Sequence, residues 1–378
     1  MHIAFEAKRA FNNFTGLGNY SRFVISALKE HYSEEDYSLY TPKVSKREEA
    51  KNFYKDNKDI TVLPSGLWKA GSLKSAWRSK RIGKLAVKQK ADVFHGLSNE
   101  LPSGLKGSTK KIVTIHDLIF LRYPDFYPFI DRGIYKKKFK SACKKADEII
   151  AISEQTKNDI IDFFDIDAAN INVVYQGVHP IYNQDLKTRR LLYLLDQYSL
   201  HQPYFLYVGS IEDRKNAKDL VQAFKLVLDQ VKHDLLLLIV GKKTDYQKEV
   251  EEEINKLRLE QSVRIYNNIP FTELPYLYKG AIASVYPSSF EGFGIPVLES
   301  LSTGTAVVTG NQSAMKEAGG EHALYADPKN HEELASQMMK LAVDNEFNEQ
   351  LIKGVDIHLT QFSSRKIAGD LMGIYKAP

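Results

Sequence analysis

The chemistry in this sequence is concentrated in Val285-Tyr286-Pro287-Ser288-Ser289-Phe290-Glu291-Gly292-Phe293-Gly294-Ile295-Pro296-Val297-Leu298-Glu299. Two carboxylates, Glu291 and Glu299, are separated by seven residues. The order predicts a strand end, a glycine loop, and a helix with proline at its first position, where a missing N–H costs nothing. Gly292 and Gly294 let the backbone approach a ligand closely. Phe293 and Ile295 complete the loop. The unpaired amides of a helix start carry partial positive charge and suit a diphosphate. A carboxylate near that start, Glu299, can accept two hydrogen bonds from a ribose diol, and the loop carboxylate Glu291 can hold hydroxyls of a sugar. Either acid alone would equally fit a residue that merely complements the helix dipole. The whole segment points to a site.

Arg214 and Lys215 follow a strand that ends at Gly209-Ser210. A guanidinium fork and an ammonium point charge suit a diphosphate and charge that develops on a departing phosphate. His116 directly follows the apolar Ile112-Val113-Thr114-Ile115, so it projects from a strand end. His95, after Asp92-Val93-Phe94, is placed similarly. Gly16 and Gly18 begin a dinucleotide-binding spacing whose third glycine position is Ser21, so the full fingerprint fails. Asp165-Ile166-Asp167 spells a metal-binding triplet but falls between a helix and a strand, away from the expected cleft, and no metal role is assigned to it. Cys143 reads as a small helix residue.

These residues need elements to hold them. Short apolar stretches alternate with helix-like stretches, which argues for parallel sheets built from βαβ units. Strands are expected at His2–Phe5, Tyr37–Tyr40, Val93–His95, Lys111–Ile115, Glu148–Ile152 and Ile171–Tyr175. A second series follows at Tyr204–Gly209, Leu235–Val240, Val263–Tyr266, Ala281–Tyr286 and Thr305–Thr309. Ser153 is placed to cap a helix that runs to about Phe164. Residues from about Glu332 to Lys376 read as helical. The segment His179–Gln202 reads as a hinge. It divides an N-terminal domain, 1–185, from a second domain, 200–355, with a final helix, 356–378, crossing back to the first.

The 378 residues suit two domains. The longest apolar runs fall far short of the roughly 20 residues that span a bilayer, and the first residues do not resemble a secretory signal. One cysteine excludes an internal disulfide. The expected compartment is the cytoplasm. Charge is unevenly spread: residues 1–180 carry 30 Lys and Arg against 21 Asp and Glu, and the remainder 22 against 26. A basic first half suits an anionic surface or acceptor.

Phe290-Glu291-Gly292-Phe293-Gly294-Ile295-Pro296, with Glu299, resembles the paired-glutamate motif of retaining glycosyltransferases of family 4. Thr15-Gly16-Leu17-Gly18-Asn19-Tyr20 resembles that family's N-terminal glycine loop. Ile115-His116-Asp117-Leu118 resembles its histidine segment, and Val208 to Asn216 its basic phosphate motif, although Ser210 stands where many members carry arginine. The look is of bacterial mannosyltransferases of surface-polysaccharide assembly. The resemblance implies an α/β GT-B fold, two Rossmann-like domains facing a cleft. It implies a nucleotide-sugar donor, with GDP-mannose the best guess, and retention of configuration. Transfer would run without a metal or other cofactor to a glycan or lipid-linked acceptor, with no nucleic acid involved. By the same resemblance His116 contacts the transferred sugar, Gly16 and Gly18 face the donor phosphate and acceptor, His95 lies on the acceptor side, and Asn268 and Ile269 lie near the nucleobase. A sugar-nucleotide epimerase of the same fold and a catalytically silent nucleotide-sugar-binding partner stay open as alternatives. Finally, Lys74, Arg78, Arg81, Lys84 and Lys88 recur at three- and four-residue spacing over Ser72–Lys90. They predict one basic helical stripe, either an ordinary exposed helix or one that approaches anionic lipid at the membrane.

Overall fold

The computed structural model describes residues 1–69, 71, 73–231 and 234–377. The chain divides into two compact units, Met1–Gly177 with Gln361–Pro378, and Val178–Thr360. The first is built on a seven-stranded sheet: β1 (His2–Glu6), β2 (Asp36–Tyr40), β3 (Thr61–Val62), β4 (Val93–Gly96), β5 (Lys110–Ile115), β6 (Glu148–Ala151) and β7 (Ile171–Val173), in the order β3-β2-β1-β4-β5-β6-β7. The second holds β8 (Tyr204–Val208), β9 (Leu236–Val240), β10 (Val263–Tyr266), β11 (Ala283–Tyr286), β12 (Ala306–Gly310) and β13 (Leu324–Ala326), in the order β10-β9-β8-β11-β12-β13. Every strand pair is parallel.

Helices cover both faces of such sheets, so central strands must be apolar on both sides. Leu236-Leu237-Leu238-Ile239-Val240 is buried at every position. Parallel strands also put all their C-terminal loops at one edge. Strand order reverses between β1 and β4 in the first sheet and between β8 and β11 in the second. At such reversals adjoining loops diverge and leave a crevice for ligands.

The last helix, Ser364–Lys376, returns to the first unit and packs on the helix Gly16–His31. Lys110 Nζ, from β5, donates to the carbonyls of Ile374 at 2.8 Å and Ala377 at 2.9 Å, a cation at a helix C-terminus. The region expected as continuous helix from Glu332 is broken. Asp344 ends His331–Val343 and caps Asn345–Ile352 through the Phe347 N–H, and Gly354, at φ +79°, opens another break.

The basic stripe is also corrected. Ser72 lies outside the described residues. Beyond it come a turn of helix, Leu73–Ala76, a π-helical stretch, Trp77–Arg81, and the helix Ile82–Lys88. A π turn takes more residues than an α turn, which breaks the spacing a single stripe requires. Arg78 points inward, 2.8 Å from Glu100 and 3.9 Å from the buried Glu6, and so leaves the exposed row.

Candidate active site

The second unit gathers its charged groups around the β8–β11 reversal. After β8 the chain runs through Gly209 and Ser210 into a 3-10 turn, Asp213–Lys215, that ends at Asn216 in the left-handed region, φ 53°. Asn216 is buried and its amide donates to Pro287 O at 2.7 Å and Ser289 Oγ at 2.8 Å. The Ser289 N–H donates to Arg214 O. These bonds fix the basic turn after β8 against the acidic loop after β11.

Arg214 and Lys215 are adjacent in sequence but differ in environment. The Arg214 guanidinium donates to Glu291 Oε1 at 2.7 Å and to Phe290 O at 2.6 Å, with Glu212 at 3.5 Å. Burial on its own would lower its pKa, but Glu291, Tyr286 and Glu212 together outweigh burial and raise it. Lys215 is half-buried and, among the described residues, makes no hydrogen bond or ion pair. Its Nζ lies 5.6 Å from the Tyr286 ring centroid. Its charge is felt by both carboxylates, Glu291 and Glu299.

Those carboxylates are pushed in opposite directions. Burial would push Glu291 up, but Arg214, Lys215 and the Tyr286 hydroxyl, 2.6 Å away, outweigh it and hold Glu291 at about 2. Tyr286, Ser288 and Arg214 all bond to Oε1, and among the described residues nothing bonds to Oε2. Glu299 has no arginine. Burial dominates and raises it to about 7, against the Tyr278 hydroxyl at 3.0 Å, the Tyr182 hydroxyl and the more distant charge of Lys215. The buried Tyr182 hydroxyl also faces Glu299 and, like Tyr278, favours its ionised form. Environments that separate two carboxylates give them different work.

The helix between them, Ile295–Ser302, carries Pro296 at its second position, one later than expected. Gly294 precedes it at φ +128°, a conformation that L side chains avoid, so glycine is needed for the turn into the helix. Gly292, Phe293 and Gly294 are buried and Ile295 is half-buried. Asn268 is exposed and Ile269 half-buried in the loop after β10, at the same sheet edge.

The first unit has its own cluster at the β1–β4 reversal. His116 follows β5 and is 4% exposed. Its Nε2 lies 2.9 Å from Leu97 O, an acceptor, so Nε2 carries the proton and Nδ1 is left as an acceptor. Burial lowers His116 to about 4, so the ring is neutral at neutral pH. Asn99 Oδ1 accepts its backbone N–H, and Tyr20 packs edge-on at 4.7 Å. Gly16 and Gly18 lie inside the first turn of the helix Gly16–His31, not in a loop before it. A Cβ on Gly18 would sit 1.9 Å from Asn13 O, so close packing explains this glycine.

Family models match both units: Glycosyltransferase Family 4 over residues 16–181 and Glycosyl transferases group 1 over residues 198–356. The chain belongs to the family 4 glycosyltransferases. This glycosyltransferase is 28% identical over 286 residues to O-antigen chain mannosyltransferase B of Escherichia coli, covering 75% of this chain and 74% of that one. It is 29% identical over 216 residues to the O-antigen chain mannosyltransferase RfbU of Salmonella typhimurium, covering 57% and 56%. In fold it matches a glycosyltransferase from Rickettsia africae with TM-score 0.77 at 17% identity, covering 99% and 97% of the two chains. It matches Anabaena Alr3699/HepE, solved with UDP-glucose, with TM-score 0.77 at 16% identity, covering 99% of each. The shared fold is GT-B.

In this glycosyltransferase His95 does not lie open to an acceptor. It is fully buried, Nδ1 meets the Tyr375 hydroxyl at 2.7 Å, and Nε2 meets Thr114 Oγ1 at 2.8 Å. Both ring nitrogens are occupied in tying the last helix to the sheet, and burial lowers the ring to about 3. Arg214 likewise holds Glu291 instead of standing open as a phosphate fork. Asp167 caps its own turn through the Ala169 N–H, and Asp165 ends a helix in the left-handed region. Among the described residues no three His, Cys, Asp or Glu side chains converge to hold a metal. Sequence reasoning missed Tyr278, Tyr182 and Asn99, whose roles come from tertiary contacts and leave no local pattern.

Proposed function

We propose that this glycosyltransferase moves a hexose, best assigned as mannose from GDP-mannose, to a glycan or lipid-linked acceptor of a surface polysaccharide. Transfer would retain the anomeric configuration and need no divalent metal. The mannosyltransferase names of the relatives at 28–29% identity support the sugar. The carrying observation is Lys215, a half-buried ammonium with no acceptor of its own among the described residues, beside a helix start and two carboxylates.

The donor's diphosphate takes Lys215 and the amides at the Gly294–Ile295 helix start. Glu299 accepts from the ribose diol. Oε2 of Glu291 takes sugar hydroxyls and faces positive charge that develops at the anomeric carbon. In the first unit, His116 is neutral and offers Nδ1 as an acceptor for a substrate hydroxyl. The anomeric C–O bond to phosphate breaks, the bond to the acceptor oxygen forms on the same face, and the acceptor's proton passes to the departing phosphate. Lys215 then stabilises charge that grows during departure.

Calorimetry with a free nucleoside diphosphate tests these assignments. Lys215→Ala should weaken nucleotide binding and also lower turnover by about 10²–10³. Glu291→Gln should leave nucleotide binding nearly unchanged while turnover falls. Equal loss of nucleotide binding in both variants would refute the assignment of the two ends.

A further inference from the structure

The first unit carries a charged cavity that the steps above do not use. β1 ends at Glu6 and the chain turns into the short helix Lys8–Asn12, while β2 ends at Tyr40 and the chain turns at Pro42-Lys43. Asn12 fixes the two turns to each other, since its amide donates to Lys8 O at 3.0 Å and to Lys43 O at 2.9 Å. The helix Leu73–Ala76 and the π-helical stretch after it supply a third wall. Lys8, Pro42, Lys43, Lys74, Ser75 and Arg78 line a cavity of about 380 Å³, within the range that holds small ligands. It lies at the C-terminal edge of a parallel sheet, where such folds bind ligands, and a π stretch within a helix is itself frequent at functional sites.

Four of these side chains are cationic, and among the described residues no acid lines the cavity. The acids felt by Lys8 are Glu6 and Glu100, and both serve Arg78. Glu100 lies 2.8 Å from Arg78 and 3.6 Å from Lys138, and the buried Glu6 lies 3.9 Å from Arg78. The ammonium groups of Lys8, Lys43 and Lys74 make no hydrogen bond or ion pair among the described residues, although Lys8 and Lys74 are half-buried. Burial lowers the Lys8 pKa, and the neighbouring cations Arg78 and Arg9 lower it further, more than Glu6 and Glu100 restore it. Like charges gathered about a cavity repel, and an anion that enters relieves them. A carboxylate brings one charge. A phosphate ester brings up to two and three strong acceptor oxygens, so separate lysines can each hold one. Lys74 and Arg78, read in the sequence as part of an exposed row, are walls of this cavity instead.

We propose that this cavity is a phosphate subsite for the acceptor, in which Lys8, Lys43 and Lys74 hold a phosphate ester that the acceptor carries and Arg78, fixed by Glu100, backs them with charge. The placement separates this phosphate from the donor's diphosphate, which belongs with Lys215 in the second unit. Asn99 and His116 follow β4 and β5 at the same sheet edge. An acceptor anchored by phosphate at the ends of β1 and β2 therefore extends along that edge toward them. A phosphorylated glycan and the diphosphate of a lipid-linked glycan present the same oxygens to the cavity. The role as an acceptor subsite rests on the transfer reading, whereas the binding of phosphate does not.

Calorimetry on the full chain tests this with inorganic phosphate, glucose 6-phosphate and geranyl diphosphate. One ester should bind more tightly than inorganic phosphate, and the tighter of the two names the source. Lys8→Gln with Lys43→Gln should weaken that ester about tenfold or more, as expected when charge-assisted hydrogen bonds are lost. The donor site also takes diphosphate, so the titrations are repeated on Lys215→Ala, which should keep the ester binding. Free nucleoside diphosphate should bind the double variant as it binds the parent, so failure of this subsite is distinguished from failure of the donor site. Unchanged melting temperatures establish that the variants fold. A second readout needs no variant. Burial and neighbouring cations favour the neutral amine at Lys8, so a limiting amine-reactive reagent should modify it, and the bound phosphate ester should slow that reaction, as read by peptide mass. Esters that bind no more tightly than inorganic phosphate overturn the proposal. So do ester binding that survives in the double variant, ester binding abolished by Lys215→Ala alone, or modification of Lys8 that the ester does not slow.

Discussion

Glu299 titrates at about 7, so it is half-ionised where most assays are run. A protonated carboxyl can accept fewer hydrogen bonds than a carboxylate and cannot receive both hydroxyls of a ribose diol well. Protonation therefore competes with nucleotide. Affinity is full above pH 7 and is lost as pH falls through it. For one proton, the dissociation constant should rise roughly tenfold between about pH 8 and pH 6, equivalent to about 1.4 kcal/mol. The ligand must be an intact nucleotide sugar, since its diphosphate is esterified at both ends and has no proton to exchange in this window. Glu299→Gln should bind more weakly than the parent at pH 8 and show no slope. The same variant should affect folding in the opposite sense. A carboxyl raised from 4.5 to about 7 costs stability only when ionised, so the cost is absent below the lower value and complete above the upper. Glu299→Gln should therefore raise stability by up to about 3 kcal/mol at pH 8 and by nothing near pH 4. Calorimetric titration and thermal melts at both ends of the range measure the two effects. A dissociation constant independent of pH in the unmutated protein, or an equal slope in the glutamine variant, would refute the placement of Glu299 on the ribose.

Arg214→Met leaves Glu291 buried without its principal cation and should cost about 3–5 kcal/mol in a denaturant melt. Adding Glu291→Gln in that background should recover part of the loss, since the two sites form a coupled pair. Tyr375→Phe removes the partner of His95 Nδ1 and should cost about 1 kcal/mol, read as a lowered melting temperature with nucleotide affinity unchanged. Turnover should survive excess EDTA, because Lys215 and the Ile295 helix start supply positive charge at the diphosphate. Activity that disappears with EDTA and returns with magnesium or manganese would contradict this.

Strands buried on both faces announced themselves as short apolar runs, and β10 begins and ends where the sequence places it. Ser153 caps its helix through the Thr156 N–H, as a serine ahead of a helical run should. Edge strands were uneven: β7 and β10 were legible, whereas β3, with two residues, and β13, with three, gave no signal. The helix Phe129–Lys145 gave little signal because its apolar residues, from Phe129 to Cys143, spread around the axis instead of lining one face. At the site, the glycine turn into the helix was legible because Gly294 and Pro296 follow from local geometry. The separate tasks of Arg214 and Lys215 were not. Two adjacent cations look alike in sequence, and only the fold brings the β11 loop within reach of one and leaves the other without a partner. His95 and His116 differ in the same way. Each comes at or just after the end of a strand, yet Tyr375, some 280 residues further along the chain, covers the first alone.

That contact between His95 and Tyr375 also bears on how the protein is made. On the ribosome the residues of the first sheet emerge before any of the second unit. The helix Ser364–Lys376 that covers His95 and takes the Lys110 ammonium emerges only after Val178–Thr360 has been synthesised. The second unit is continuous in sequence and can close while still tethered. The first must wait, holding Tyr20, Thr114 and His95 without their last neighbour for the time taken to translate nearly two hundred residues. A released chain truncated before Ser364 should thus be protease-resistant in its second unit and still open in its first, so that the half made earlier is the half completed last.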